Sequence, residues 1–205
     1  MERLSKFISF AFHPLLMATY TLIVFYFTVP ELFSPIVASS VPIVLFATFL
    51  TTFLVPLLSI LILRMTSRVS NLELTRREER FLPFLAIAIF YGSATYMFFE
   101  KLKLSPPLTT MMLLVTGLII LLSLITLKFK ISIHAAASWG VVGLLAALSL
   151  KMTGGMLMTP LIGAALAAGA VSSARLKLGY HTPVEVWSGS FTGFMLNFMG
   201  LYILY

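Results

Sequence analysis

The chain has 205 residues, of which 60% are apolar and 10% are charged, with a mean hydropathy of +1.04 and a formal net charge of +7. A water-soluble domain of this length carries more charge, so the composition excludes that class and predicts one polytopic membrane domain over residues 1–205. The lack of cysteine excludes disulfide bonds. The positive charge lies at the ends of apolar segments, where it would contact membrane lipids or a phosphorylated ligand, so a nucleic-acid partner is not expected.

Seven apolar runs are long enough to cross a membrane as helices. They cover about 8–29, 38–63, 82–99, 107–127, 133–150, 156–173 and 186–205. The first run is longer than the core of a signal peptide and lacks a small-residue cleavage pattern, which predicts a retained span. We therefore expect an all-α integral membrane bundle of six to seven transmembrane helices. Within the last run, Gly189 and Gly193 have the spacing that favours close helix packing.

The distribution of basic residues predicts the orientation in the membrane. With seven spans, the N-terminus, the polar stretch 64–81 and the junctions 128–134 and 174–186 lie on the same face. That face carries most of the basic residues, namely Arg3, Lys6, Arg64, Arg68, Arg76, Arg77, Arg80, Lys128, Lys130, Arg175 and Lys177, against Lys101, Lys103 and Lys151 on the other. The positive-inside tendency predicts that the basic face is cytoplasmic, and we expect the membrane to be a bacterial plasma membrane.

The junction before the last apolar run carries the strongest candidate for chemistry. Thr182, Pro183 and Glu185 have the positions of an N-cap, a first helical residue and the third residue of a capping box. His181 therefore directly precedes a helix N-terminus, which favours an anion. In the functional interpretation His181 attacks phosphorus, Glu185 holds its ring and Arg175 neutralises phosphate oxygens. In the structural alternative Glu185 completes the cap and Arg175 extends to the headgroups.

A second histidine, His134, lies at another junction on the same face, after Lys130 and Ser132. Cleavage of a phosphate ester needs a proton for the departing alkoxide, and histidine is the side chain best suited to supply it near neutral pH. Two histidines on one face can therefore divide the roles of nucleophile and acid. The structural alternative is that Ser132 caps the fifth run and His134 is an interfacial residue.

The polar stretch before the third run contributes further cations. Arg76, Arg77 and Arg80 precede that run, and Arg80 lies at its start on the basic face. These side chains could complete a cationic cradle for a phosphoryl transition state, or pair locally with Glu78 and Glu79.

His13, followed by Pro14, is an ionisable residue inside the first apolar run. We interpret it as a packing residue or the partner of a local hydrogen bond rather than as a catalytic group.

Three histidines and scattered glutamates, in a chain without aspartate, do not make convincing metal spacing, so neither a metal nor another cofactor is expected.

At these residues the chain resembles the type 2 phosphatidic acid phosphatase (PAP2) superfamily, membrane relatives of the vanadium haloperoxidases. The family motif Ser-Arg-x5-His-x3-Asp is similar to the stretch from Ala174 through Arg175 and His181 to Glu185, and Pro-Ser-Gly-His is similar to residues 131–134. Lys-x6-Arg-Pro is matched loosely at Arg80, with Glu73 at the lysine position and Arg76 or Arg77 as a substitute. The motifs cover about 80–185, and the first two apolar runs lie outside them. The chain departs from the family in having Glu185 for aspartate, Ile133 for glycine, and two runs between the first and second motifs.

The resemblance implies a PAP2/haloperoxidase-like core and a metal-independent lipid phosphatase. In this interpretation His181 forms a phosphohistidine, Glu185 orients it, and His134 protonates the leaving group. The phosphate would be held by Arg175, Arg80 and Ser132, with Lys130, Arg76 and Arg77 as further candidates. Expected substrates are lipid phosphates or polyprenyl diphosphates. Two alternatives stay open: a catalytically degenerate relative that binds or moves phospholipids without hydrolysis, and a structural membrane subunit.

Overall fold

A computed structural model describes residues 2–70, 79–152 and 154–205, and no strand occurs among them. The described residues form nine α-helices: α1 (Glu2–Ala11), α2 (Met17–Thr28), α3 (Val41–Phe49), α4 (Val55–Met65), α5 (Phe81–Tyr96), α6 (Pro106–Thr126), α7 (Ile133–Lys151), α8 (Met158–Lys177) and α9 (Pro183–Leu204). The predicted all-α class is therefore confirmed for the described part of the chain.

Short helical segments join some of these helices into longer rods. A 3-10 turn, Pro14–Leu16, links α1 to α2, because Pro14 has no N–H to continue the α-helical hydrogen bonding. A π-helical turn, Leu50–Leu54, links α3 to α4, and a second, Met97–Lys101, extends α5. The result is a rod of 27 residues over Glu2–Thr28 and one of 28 residues over Ala38–Met65.

Six helices of the described chain are long and apolar enough to cross a membrane, which makes this an integral multi-pass membrane protein. They are Glu2–Thr28, Ala38–Met65, Phe81–Lys101, Pro106–Thr126, Ile133–Lys151 and Met158–Lys177. The seventh predicted span corresponds to α9, which has 22 residues but is not among the six. The small and polar residues of α9, such as Ser190, Gly193 and Asn197, lower its hydropathy.

Helix α7 lies at the centre of the bundle and makes its most extensive contact with α9. The contact is close because glycines of α9 face the backbone of α7. A Cβ at Gly193 would lie 1.9 Å from the carbonyl oxygen of Ala136, and one at Gly189 would lie 2.5 Å from that of Ser132. The expectation that Gly189 and Gly193 form a close helix contact is confirmed, and this contact sets the position of the residues at the start of α9.

Successive helices run in opposite directions, so the N-termini of alternate helices lie at the same end of the bundle. The N-termini of α5, α7 and α9 and the C-terminus of α8 lie at the same end of the bundle, where Arg80 reaches the connection before α7. Helix α1 packs against α8, and α2 contacts α7. The N-terminal rod therefore lies beside the helix ends that carry the predicted site.

Candidate active site

His181 and Glu185 form a direct pair at the start of α9. The Nδ1 atom of His181 lies 2.8 Å from Oε2 of Glu185. The same carboxylate oxygen accepts a hydrogen bond from the backbone N–H of Thr182 at 3.3 Å, and the Thr182 hydroxyl accepts one from the Glu185 N–H at 3.3 Å. The predicted capping box is therefore present, and Glu185 also orients the histidine. A neutral His181 with its proton on Nδ1 leaves the Nε2 lone pair available.

The environment of His181 favours its neutral form. Burial lowers the pKa of His181 from its usual 6.5 to about 4, and the nearby charges of Arg175 and Arg80 act in the same direction. The hydrogen bond that His181 donates to the Glu185 carboxylate opposes this shift but does not overcome it. At neutral pH the ring is therefore unprotonated, as a nucleophile must be.

The connection before α7 is fixed to the start of α9 by a backbone hydrogen bond. The Ser132 N–H donates to the Glu185 carbonyl at 3.0 Å. The Ser132 side chain is fully buried and accepts from the Ala135 N–H at 3.4 Å, so it caps α7 as the structural alternative expected. The two predicted histidine motifs are thus held together through main-chain atoms.

Two buried arginines lie beside this pair. Arg80 is 3% exposed, and its Nη1 donates to the Ile131 carbonyl at 3.3 Å. Arg175 is also 3% exposed, and its guanidinium lies over the ring of Tyr180 at 4.6 Å. Arg175 therefore does not extend to the headgroups, and both cations lie within electrostatic range of His181. Buried guanidinium groups next to a histidine make a site suited to an anion.

The ring of His134 lies next to that of His13, with centroids 5.5 Å apart and an interplanar angle of 81°. The His134 side chain also lies near the backbone of Ser9 and within electrostatic range of His181 and Arg175. The Nδ1 atom of His13 accepts a hydrogen bond from the Leu15 N–H at 3.3 Å, which confirms the expected local hydrogen bond. The structure also brings His13 to the candidate site, which the sequence interpretation did not propose.

A cavity of about 370 Å³ extends from this cluster into the bundle. Polar and basic side chains line it at one end, and apolar side chains from α2, α4, α5, α6 and α7 line the rest. The polar end is formed by Lys6, Ser9, His13, His134, Arg175 and Tyr180. The cavity volume lies within the usual range of about 300–1,000 Å³ for small-molecule sites.

Of the three remaining predicted phosphate ligands, the structure describes Lys130 alone. Arg76 and Arg77 lie outside the described residues, as does Glu73. Lys130 is half-buried in the connection between α6 and α7, and no hydrogen bond or ion pair of its side chain is found within the described chain.

Sequence reasoning missed Ser9 and Tyr180 altogether. Ser9 is a single serine in an apolar run, and no local pattern indicates that α1 packs against the helices that carry the site. Tyr180 directly precedes His181 and follows Arg175 by five positions in the sequence. This short separation was a detectable signal, because arginine often stacks on aromatic rings, as Arg175 does on Tyr180 in the structure.

The chain matches no protein-family model, no curated protein and no solved structure. What the fold itself establishes is the class, an all-helical multi-pass membrane protein with a polar cluster at one end of an apolar cavity.

Proposed function

We propose that this protein is a PAP2-like lipid phosphatase that hydrolyses a lipid phosphate or diphosphate through a phosphohistidine on His181. The observation that carries the proposal is the 2.8 Å contact between His181 Nδ1 and Glu185, placed beside two buried arginines and a second histidine. A histidine oriented by a carboxylate and surrounded by cations has the parts that nucleophilic attack on phosphorus requires. On this proposal the protein is an enzyme that needs no metal.

In the proposed reaction the Nε2 atom of His181 attacks phosphorus, so that a P–N bond forms and the bond to the lipid oxygen breaks. His134 donates its proton to the departing alkoxide. The Glu185 carboxylate stabilises the positive charge that develops on the His181 ring, and the guanidinium groups of Arg80 and Arg175 stabilise the phosphoryl oxygens. Water activated by the now neutral His134 then attacks phosphorus, breaks the P–N bond and releases inorganic phosphate, which restores both histidines.

One observation favours a second candidate function. His134 and Arg175 line the cavity, whereas His181 and Glu185 do not. A protein that binds or moves a phospholipid without hydrolysis would use the cavity and its cations but would not need His181 to reach the phosphorus. The two functions therefore differ in whether a bound lipid phosphate is turned over.

The test is release of inorganic phosphate by purified protein in detergent, with EDTA present, from a panel of lipid phosphates and polyprenyl diphosphates. His181→Ala and His134→Ala are expected to abolish release while the variants stay folded. Lys103→Ala, at the other end of the bundle, is the control for loss of a polar side chain and should retain activity. Absence of release from every substrate, or release that His181→Ala leaves intact, contradicts the phosphohistidine mechanism and supports the binding function.

A further inference from the structure

The N-terminal rod, α1 with α2, lies outside the motifs on which the resemblance rests, yet it forms one wall of the cavity. Ser9, His13 and Thr21 all line it, opposite residues of α7 such as His134 and Leu144. His13 lies where the rod is interrupted before Pro14, and its ring contacts that of His134. The cavity therefore depends on a segment to which the proposed chemistry assigns no role.

We propose that this cavity is a pocket for a single hydrocarbon chain of an amphiphile with a phosphate head, and that its depth limits the length of the chain. The proposal rests on the proposed function, because it takes the cluster of His134 and Arg175 as the place where the head binds. It adds a substrate class, a lipid phosphate that inserts one chain of limited length.

The lining of the cavity fits this occupant. Beyond the polar end the walls are mostly leucine, isoleucine, valine and phenylalanine side chains. The hydroxyl groups of Thr21 and Tyr91, which also line the cavity, donate to the carbonyls of Met17 and Leu15, so they do not face a hydrocarbon chain as unpaired donors. Asn197 differs, since its Nδ2 donates to the Gly193 carbonyl but its Oδ1 has no hydrogen-bond partner within the described residues. That oxygen marks the part of the wall least favourable for a hydrocarbon chain.

The polar end fits a phosphate head. Ser9 is 8% exposed, and its Oγ has no hydrogen-bond partner among the described residues, although it lines the cavity beside His134. A buried hydroxyl of this kind is a ready donor to a phosphate oxygen. Arg175 supplies positive charge at the same end, and the exposed Lys6, which pairs with Glu2 at 2.8 Å, lies at the mouth.

The size of the cavity sets the expected length of the chain. An extended alkyl chain advances by about 1.3 Å per carbon, because its C–C bonds of about 1.5 Å form a zigzag, so roughly a dozen carbons span a depth of about 15 Å. Along α7, His134 and Leu144 are separated by about 15 Å at the usual helical rise, which is about half the hydrocarbon thickness of a bilayer. A long polyprenyl chain exceeds this space, whereas one acyl or alkyl chain of medium length fits it.

The test uses non-hydrolysable alkylphosphonates with chains from hexyl to octadecyl, which displace radiolabelled dodecylphosphonate from protein in phosphatidylcholine nanodiscs. We expect affinity to rise with chain length to about a dozen carbons and then to fall by about tenfold as the pocket is overfilled. Val141→Phe narrows the cavity and should shorten the optimum chain by about two carbons, whereas Val141→Ala should lengthen it by about as much. Leu150→Phe, on the same helix but 68% exposed, is the matched control and should leave the optimum unchanged.

A separate variant tests the head of the ligand. Ser9→Ala should weaken binding of every alkylphosphonate by about tenfold, as expected for a lost hydrogen bond to a charged group, without changing the optimum chain length. Affinity that is independent of chain length, or an optimum chain length that neither Val141 substitution changes, contradicts the proposal that the cavity holds the chain and limits its length.

Phosphate release measured in parallel separates this proposal from the proposed function. A chain-length optimum without release supports the pocket and contradicts the phosphatase. Release without a chain-length optimum supports the phosphatase and overturns the pocket.

Discussion

At the scale of single residues, Glu185 connects the candidate chemistry to the fold. Its Oε2 atom contacts the His181 ring and accepts from the Thr182 N–H, while its carbonyl accepts from the Ser132 N–H. The carboxylate alone provides the charge that would stabilise an imidazolium, whereas the cap needs only an acceptor oxygen. Substitutions at this position can therefore separate the two roles.

We expect Glu185→Gln to lower kcat by roughly 10²–10⁴-fold with little loss of stability, because the amide oxygen still caps α9 but carries no negative charge. The measurement is steady-state phosphate release beside thermal unfolding of the same preparation. Glu185→Asp is the matched control, since it restores the carboxylate on a shorter side chain and should recover part of the activity. Equal activity of Glu185→Gln and the parent protein would exclude an electrostatic role for Glu185.

The pH dependence of His181 follows from its pKa of about 4. A histidine in an unfolded chain titrates near 6.5, so between pH 6.5 and 4 the unfolded chain binds more protons than the folded protein. Stability therefore falls as the pH falls through this window, and His181, the proposed nucleophile, stays unprotonated down to about pH 4.

Titration of isotope-labelled histidine by NMR should thus find one ring, lost in His181→Ala, that protonates well below the usual imidazole range. Loss of the Glu185 carboxylate charge in Glu185→Gln should lower this pKa further, because that charge raises it, whereas Arg175→Gln should raise it. A His181 that titrates at or above 6.5 would contradict the burial that the structure gives it.

At the scale of helices, the α7–α9 contact determines whether the site is assembled. Gly193 allows the two backbones to approach so closely that a Cβ would meet the Ala136 carbonyl. Backbone cannot move aside as the end of a flexible side chain can, so any side chain at this position separates the helices. His134 lies on α7 and His181 at the start of α9, so their separation changes with the helix spacing.

Gly193→Ala should therefore destabilise the protein by about 1–3 kcal/mol and reduce activity as well. Gly163→Ala on α8 is the matched control, because a Cβ there meets nothing within 4 Å, and it should be neutral. The measurement is thermal unfolding of both variants in the same detergent, with phosphate release measured below the unfolding transition. A Gly193→Ala variant as stable as the control would show that the close contact is dispensable.

The helices were the most predictable part of the structure, because their ends carry local signals. Residues 107–127 were predicted as a span and α6 covers Pro106–Thr126, with Pro106 as its first residue. The start of α1 at Glu2 was missed, because its first turns are polar and the apolar run begins later. The helical structure of α9 was also predicted, whereas its hydropathy falls below that of the six candidate spans.

The site was predictable where its residues are close in sequence and not where they are distant. His181 directly precedes the N-cap residue of α9 and Glu185 completes its capping box, so this spacing already indicated their contact. The approach of His13 to His134 depends on how α1 packs against α8 and how the rod breaks at Pro14, and neither is encoded locally. The same holds for the burial of Arg175, since a basic residue at a helix end usually extends toward water.

At the scale of the whole molecule, the end of the bundle that holds the candidate site is also the face to which the charge distribution assigns most of the basic residues. The candidate site lies at the N-termini of α5, α7 and α9, the same end that carries Arg64 at the close of α4. The assignment of these helix ends to one face of the membrane does not depend on whether α9 crosses it, because the five connections between the six candidate spans already determine it. A basic cluster that binds phosphate would raise the cation count of its own face, so the positive-inside argument needs a direct test.

We expect the basic face to be cytoplasmic, and the cysteine-free chain allows this to be measured by labelling single introduced cysteines. Thr66→Cys reports on the connection after α4, and Met156→Cys, at a residue 59% exposed, reports on the opposite connection before α8. In intact cells a membrane-impermeant maleimide should label Met156→Cys and should label Thr66→Cys only after permeabilisation. The reverse pattern would place the candidate site outside the cytoplasm, where it would meet lipid phosphates of the outer leaflet.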